Sequence, residues 1–328
     1  MTSPLPDFDD VRAAAARLKD QAVRTPLLTN AALDDRVGGR ILLKAECLQR
    51  TGTFKFRGAY NALSKLSESQ ARKGVVAFSS GNHAQGVAEA ARILGIKAII
   101  VMPEDAPDVK KAGVLARGAE IRAYDRATES REEIAQALCD ASGAALIPSY
   151  DHPDVIAGQG TCGLEIFETL KTDGVHADQL ICCVGGGGLI AGINLAAQAL
   201  SPETAVYGAE PEEFDDHARS LASGHKVGNV RKAGSLCDAL LTETPGDLTF
   251  AINQPRLKGV GVVSDLEAMQ AVRFGFETLK LVLEPGGAAA LAALLSGKID
   301  AKGKTTVVVL TGGNVDSAVL QQALSSAL

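Results

Sequence analysis

The chain has 328 residues, enough for one large domain or two smaller ones, and its 46% hydrophobic and 22% charged residues are those of an ordinary globular protein. A formal charge of −6, with Lys and Arg scattered along the chain, leaves no basic face for nucleic acid, and no stretch reaches the roughly 18 uninterrupted apolar residues of a membrane span. The acidic start MTSPLPDFDD, with Pro4 and Pro6, is no signal peptide, so a cytoplasmic location is expected; the six cysteines form no CxxC pair and read as core thiols.

In chain order, Asp10 to Gln21 reads as an amphipathic helix with Val11, Ala14, Ala15 and Leu18 at helical spacing, broken before Pro26. Arg40 to Glu46 reads as a strand, followed by the run Thr51 to Asn61 and a helix through Leu66. From Gly74 strand and helix alternate: strands at Val75–Phe78, Ala98–Met102, Glu120–Tyr124 and Ala145–Ile147, and helices from His83 to Leu94, Asp108 to Arg117 and Glu129 to Asp140. Pro148 to Pro153 is a loop and hinge, followed by a helix from Gln159, the strand Leu180–Val184, four glycines, a helix to Leu200 and the strand Ala205–Ala209. Residues 211–260 read as irregular. Ser264 to Leu281 and Gly287 to Leu295 read as helices, Thr305–Leu310 as an apolar strand, and a last helix lies beyond Asp316. The alternation implies two α/β units with parallel sheets, in which ligands bind beyond the carboxyl ends of strands.

Three loops stand in that position. Gly185, Gly186, Gly187 and Gly188 let successive amides turn toward one point at a helix N-terminus, which suits a phosphate. Ser79-Ser80-Gly81-Asn82-His83 offers hydroxyls and amides to a carboxylate, and Thr311-Gly312-Gly313-Asn314 ends the last strand in the same way. Lys55 lies between Phe54 and Phe56, where lost hydration lowers the pKa of an amine and makes it a carbonyl-seeking nucleophile. A second reading, an NAD-dependent oxidoreductase, uses Gly186-x-Gly188-x-x-Ala191 with Glu210 at the end of the next strand, but leaves Lys55 and the SSGNH loop without a task. A third is a ligand-binding sensor without turnover.

The runs TGTFKFRGA, SSGNHAQG, VIAGQGT, GGGGLIAG, EPGGAAA and TGGNVD, from Arg24 to Asp316, closely resemble the serine/threonine dehydratase and serine racemase family of fold-type II pyridoxal phosphate enzymes, a group that includes 3-hydroxyaspartate dehydratases. The resemblance implies a tryptophan synthase β-like α/β fold: a large cofactor-binding domain of residues 1–68 and 150–328, a small mobile domain of residues 69–149, and the cofactor in the cleft between them. It implies β-elimination from a β-hydroxy amino acid, L-serine, L-threonine or 3-hydroxyaspartate, by an ammonia-lyase working as a homodimer, with room for racemase side activity.

Residue by residue, the resemblance implies that Lys55 holds pyridoxal 5'-phosphate and moves the Cα proton. Phe54 is implied to pack beside the ring, Asn82 to bond the ring hydroxyl, and Gly185, Gly186, Gly187, Gly188 and Leu189 to hold the phosphate. Thr311 is implied to face the ring nitrogen and leave it unprotonated. Ser80 matches the racemases' second proton carrier. Ser79, Gly81, His83 and Thr242 are implied around the substrate carboxylate, and Arg131 near a second carboxylate. Glu210 and Asp216 with the carbonyl of Phe214 match a divalent-cation site suited to Mg²⁺ or Ca²⁺, with Mn²⁺ also allowed. The chain departs from the family at Cys237-Asp238-Ala239, where Ala-Asp-Gly is usual, and at Asn30-Ala31, where nucleotide-binding racemases carry paired serines. It also ends at Leu328, before the regulatory domain of isoleucine-inhibited threonine deaminases, so a catabolic or racemase-like relative is expected.

Overall fold

The computed structural model describes residues 4–79, 81–106 and 108–325; Ser80 therefore lies outside the described residues. Among the described residues ten strands form two sheets: β1 Leu27–Leu28, β2 Arg40–Ala45, β3 Val75–Phe78, β4 Ala98–Pro103, β5 Glu120–Tyr124, β6 Ala145–Leu146, β7 Gln179–Cys183, β8 Ala205–Pro211, β9 Leu257–Val263 and β10 Thr305–Leu310. The larger sheet runs β1-β2-β10-β7-β8-β9 and the smaller β5-β4-β3-β6. Of these strand pairings only β1–β2 is antiparallel. Every strand of the smaller sheet falls between residues 75 and 146, and every strand of the larger one outside that range. Strands β7 and β10 are buried almost throughout, as expected of parallel strands covered on both faces.

Local chemistry explains most element boundaries. Asp7 caps the helix Phe8–Leu18 in a capping box with Asp10. The helix expected from Gln159 starts six residues earlier, at Pro153, because the His152 side chain caps it and proline is tolerated at the first helical position. The expected helix Ser264–Leu281 keeps α-geometry only from Asp265 to Phe274, then passes through a π-turn, Gly275–Leu279, to Lys280 at φ 60°. The segment read as irregular holds two helices, Asp216–Ser223 and Asp247–Asn253, and strand β9, whose glycines at 259 and 261 dilute the apolar signal of an edge strand.

Two features position the site. The helices Pro153–Thr172 and Gly188–Leu200 touch backbone to backbone: a Cβ on Gly192 would lie 2.4 Å from the Gly160 nitrogen, so neither glycine admits a side chain. A buried ion network also holds the start of the helix Lys55–Ser64. Arg57 donates to both oxygens of Glu46 (2.8 and 2.8 Å) and both of Glu165 (2.7 and 2.9 Å), and Lys44 donates to Glu165 (2.5 Å) and the Thr25 carbonyl (2.8 Å). Burial alone would raise the Glu46 pKa, but Arg57, with Lys44 and the Thr25 hydroxyl, holds the carboxyl below its ordinary value. Arg57 thereby joins the turn that follows β2, its own helix and the helix Pro153–Thr172, two residues from Lys55.

Candidate active site

The two sheets face each other across a cleft of about 420 Å³, which continues into a compartment of about 90 Å³. Lys55 borders both, as do Asn82, Ser149, Tyr150, Thr242 and Glu284. The Lys55 amine donates to the Ser149 carbonyl (2.9 Å) and sits 5.1 Å from the centre of the Phe54 ring. Burial lowers its pKa to about 8, while Cys183 and Glu284 oppose the shift. Near neutral pH a fraction of this amine is free to attack a carbonyl, which an exposed lysine is not.

The smaller compartment is walled by Phe54, the glycines 185–188, Leu189, Cys183 and Thr311. Gly187 sits at φ +90°, a conformation side-chain-bearing residues rarely adopt. The first amides of the helix Gly188–Leu200 have no acceptor within that helix, so they are available to an anion. The cup is held rigidly from behind: a Cβ on Gly186 would lie 2.3 Å from the Tyr150 ring, and one on Gly187 would lie 2.7 Å from His217 Nε2. Thr249 Oγ1 also donates to the Gly186 carbonyl (2.7 Å). The Thr311 hydroxyl is buried and, among the described residues, meets the Cys183 sulfur at 3.1 Å. Thr242 Oγ1, on a residue that borders both spaces, is buried without a partner among the described residues.

On the cleft side stand Ser79, Gly81, His83 and Arg131. Ser79 Oγ accepts the Gly81 amide (3.2 Å), turning the loop into the helix Asn82–Leu94. His83 Nε2 meets the Ile147 carbonyl (2.9 Å), and burial, aided by Lys55, lowers its pKa to about 3, so the ring is neutral at working pH. The Arg131 guanidinium lies 5.4 Å from the centre of the Phe78 ring and pairs with Glu132 (2.8 Å). Asn82 donates to Glu284 (2.6 Å) and accepts from Asn314 (2.8 Å), joining the two sheets' loops. Burial, with Asp238 nearby, raises the Glu284 pKa to about 7.

The residues expected to hold a cation do not line the cleft, and among the described residues Glu210, Asp216 and His217 form a buried trio. Glu210 accepts the amides of His217 (3.0 Å) and Ala218 (2.9 Å), and its carboxylate is fully buried at the end of β8, out of reach of a ribose hydroxyl in the cleft. The NAD reading of Gly186 to Ala191 fails on that point. Asp216 Oδ1 accepts from Asn229 (2.7 Å), while Oδ2 is buried and unpartnered among the described residues. Phe214 is buried in the turn between Pro211 and the helix Asp216–Ser223, its amide donating to the Pro211 carbonyl (3.1 Å).

Sequence reasoning brought the right loops together but missed several side chains. Tyr150 and Asp151 read only as part of a hinge, yet Tyr150 seats on the glycine cup and Asp151 accepts the first amides of the helix Asp247–Asn253 (2.9–3.1 Å). Ser149, Glu284 and His217 carried no role. Glu284 alone left a signal, an acid directly before a proline that opens an otherwise apolar helix.

Comparison with known proteins agrees with this geometry. Residues 18–312 match the family model described as "Pyridoxal-phosphate dependent enzyme". The chain is 46% identical to an L-threo-3-hydroxyaspartate ammonia-lyase of a Pseudomonas species, over 95% of this chain and 96% of that one. It is 41% identical to a serine racemase of Schizosaccharomyces pombe, covering 95% of each chain. The crystal structure of a T.th. threonine deaminase superposes with a TM-score of 0.89 at 45% identity, covering 95% of this chain and 99% of that one. A lysine whose pKa is lowered by burial, beside a glycine-walled compartment between the two sheets, is thus met again at the level of the whole sequence: the chain belongs to the family of pyridoxal-phosphate dependent enzymes.

Proposed function

We propose that the chain is an ammonia-lyase that eliminates water from a β-hydroxy amino acid, the released enamine then taking up a water to give a 2-oxo acid and ammonia, with 3-hydroxyaspartate, L-serine and L-threonine as candidate substrates. The observation that carries the proposal is the position of Lys55, with a low-pKa amine bordering a phosphate-sized cup on one side and an amino-acid-sized cleft on the other. The relatives named as ammonia-lyases and racemases support the reaction class.

The residues present fit pyridoxal phosphate: free helix amides for its phosphate, an amine for its aldehyde, and a neutral Thr311 hydroxyl for its ring nitrogen. When bound, the cofactor supplies an electron sink that acidifies the Cα–H of an amino acid. Gly185 to Gly188 and Leu189 hold its phosphate, Phe54 packs beside its ring, and Asn82, oriented by Glu284 and Asn314, meets its hydroxyl. The Lys55 nitrogen, held by the Ser149 carbonyl, takes the Cα proton. Ser79, Gly81, His83 and Thr242 hold the substrate carboxylate, and Arg131, facing the same cleft, receives a second carboxylate in 3-hydroxyaspartate. Ser80 is proposed as the racemising proton carrier on the resemblance alone. Ser80→Ala is expected to suppress racemisation while sparing elimination of the L-substrate.

Glu210, Asp216 and the Phe214 carbonyl are proposed to hold a divalent cation, Mg²⁺, Ca²⁺ or Mn²⁺, and the free Oδ2 of Asp216 supports this. We further propose that residues 69–149 move as a small domain against the remainder, a division matched by the two sheets, and that the protein works as a cytoplasmic homodimer. The deciding experiment is an absorbance spectrum together with ammonia release from a panel of hydroxy amino acids. A violet-region band removed by borohydride, with turnover of at least one of them, supports the proposal. A coloured protein that turns over none overturns it in favour of a sensor.

A further inference from the structure

Resting on the cation reading above, we propose that His217 is a third side-chain ligand of that cation through Nδ1, so that the site selects a nitrogen-accepting transition ion such as Mn²⁺ over Mg²⁺ and Ca²⁺. Glu210, Asp216 and His217 are each 0% exposed, and each offers a ligand atom within 4.8 Å of the others. His217 Nδ1 lies 3.5 Å from Glu210 Oε1 and 3.7 Å from Asp216 Oδ2. These separations are longer than a good hydrogen bond and close to the roughly 3.0–3.6 Å between neighbouring ligands around an ion with bonds of about 2.1 Å.

Buried polar atoms are nearly always partnered, yet Asp216 Oδ2 and His217 Nδ1 both lack a hydrogen bond among the described residues. An ion between them satisfies both at once. Glu210 keeps capacity for it, since the two amides it accepts use only half of a carboxylate's four acceptor positions. An imidazole in the donor set distinguishes metals: hard Mg²⁺ and Ca²⁺ favour oxygen, whereas first-row transition ions accept nitrogen, Mn²⁺ the least strongly of them.

The ring also has a second neighbour. Its Nε2 would lie 2.7 Å from a Cβ on Gly187, so the imidazole is wedged between the two acids and the glycine cup. A cation that fixes this ring buttresses the cup from behind.

The test uses the holoenzyme, stripped of divalent ions and titrated with Mn²⁺ and, separately, with Mg²⁺. Pulsed electron paramagnetic resonance of bound Mn²⁺ is expected to show coupling to a directly ligated ¹⁴N, and this wild-type reading does not depend on any variant folding. Mn²⁺ is expected to bind about tenfold or more tightly than Mg²⁺, and His217→Gln to remove both the coupling and that preference while changing Mg²⁺ affinity less than about threefold. Bound Mn²⁺ with no ¹⁴N coupling overturns the role of His217 and leaves the cation reading standing. Binding of neither ion, nor of Ca²⁺ by calorimetry, overturns both.

Discussion

The glycine cup after β7 and the loop after β3 stand in the same place in their respective sheets, and they are built in opposite ways. Behind the cup, Tyr150, His217 and Thr249 close on the backbone, and neither Gly186 nor Gly187 could carry even a methyl group. At Gly81 an added Cβ would meet nothing within 4 Å among the described residues. A cofactor of fixed shape rewards a preformed, tightly packed receptor, whereas a substrate that must enter, react and leave needs slack on its side.

Lys55 lies between these regions, so its loss strikes both. Lys55→Ala is expected to abolish the violet-region band and to lower ammonia release by at least about 10²–10⁴-fold, as for a general base; retention of the band would break the assignment. Gly186→Ala tests the packed side. Overpacking of about 1–3 kcal/mol translates into roughly 5- to 150-fold weaker cofactor retention, measured by equilibrium dialysis. On the cleft side, Arg131→Met is expected to lower kcat/KM for 3-hydroxyaspartate about 10- to 150-fold, from the loss of a charged hydrogen bond of about 1.5–3 kcal/mol. Its effect on serine is expected to stay within about threefold.

The pH dependence sharpens the comparison further. Only the unprotonated amine attacks an aldehyde, and burial lowers the Lys55 pKa to about 8. Cofactor uptake by the apoprotein, followed by growth of the violet-region band, is therefore expected to rise with pH to half its maximum near 8, well below the roughly 10.4 of a free lysine. The smallest effect on cofactor retention is expected of Gly81→Ala, within about twofold, because the added methyl meets the open cleft rather than packed atoms. A larger loss there would remove the contrast between the two loops.

Much of this was legible in the sequence because the chemistry is local. Four glycines between an apolar strand and helix, and a lysine between two phenylalanines, declare themselves within a dozen residues. Glu284 and Asn314 could not be read as partners of Asn82, since they lie 202 and 232 residues away and meet only when both sheets are formed. His217 was hidden for the same reason: nothing near it in the chain announces Gly187. Strand β9 escaped because glycines at 259 and 261 thin the apolar pattern that marked the other strands of its sheet.

The pairing of β2 with β10 carries a consequence for synthesis. Thr53 bridges Gly312, and the Phe54 amide donates to the Thr311 carbonyl (3.2 Å), so both walls around Lys55 are stitched to a segment made some 250 residues later. At about 5–20 residues per second, a ribosome delivers that segment roughly ten seconds to a minute after the lysine. Until then Lys55 lacks the burial that lowers its pKa, and cofactor capture waits for that segment to pair.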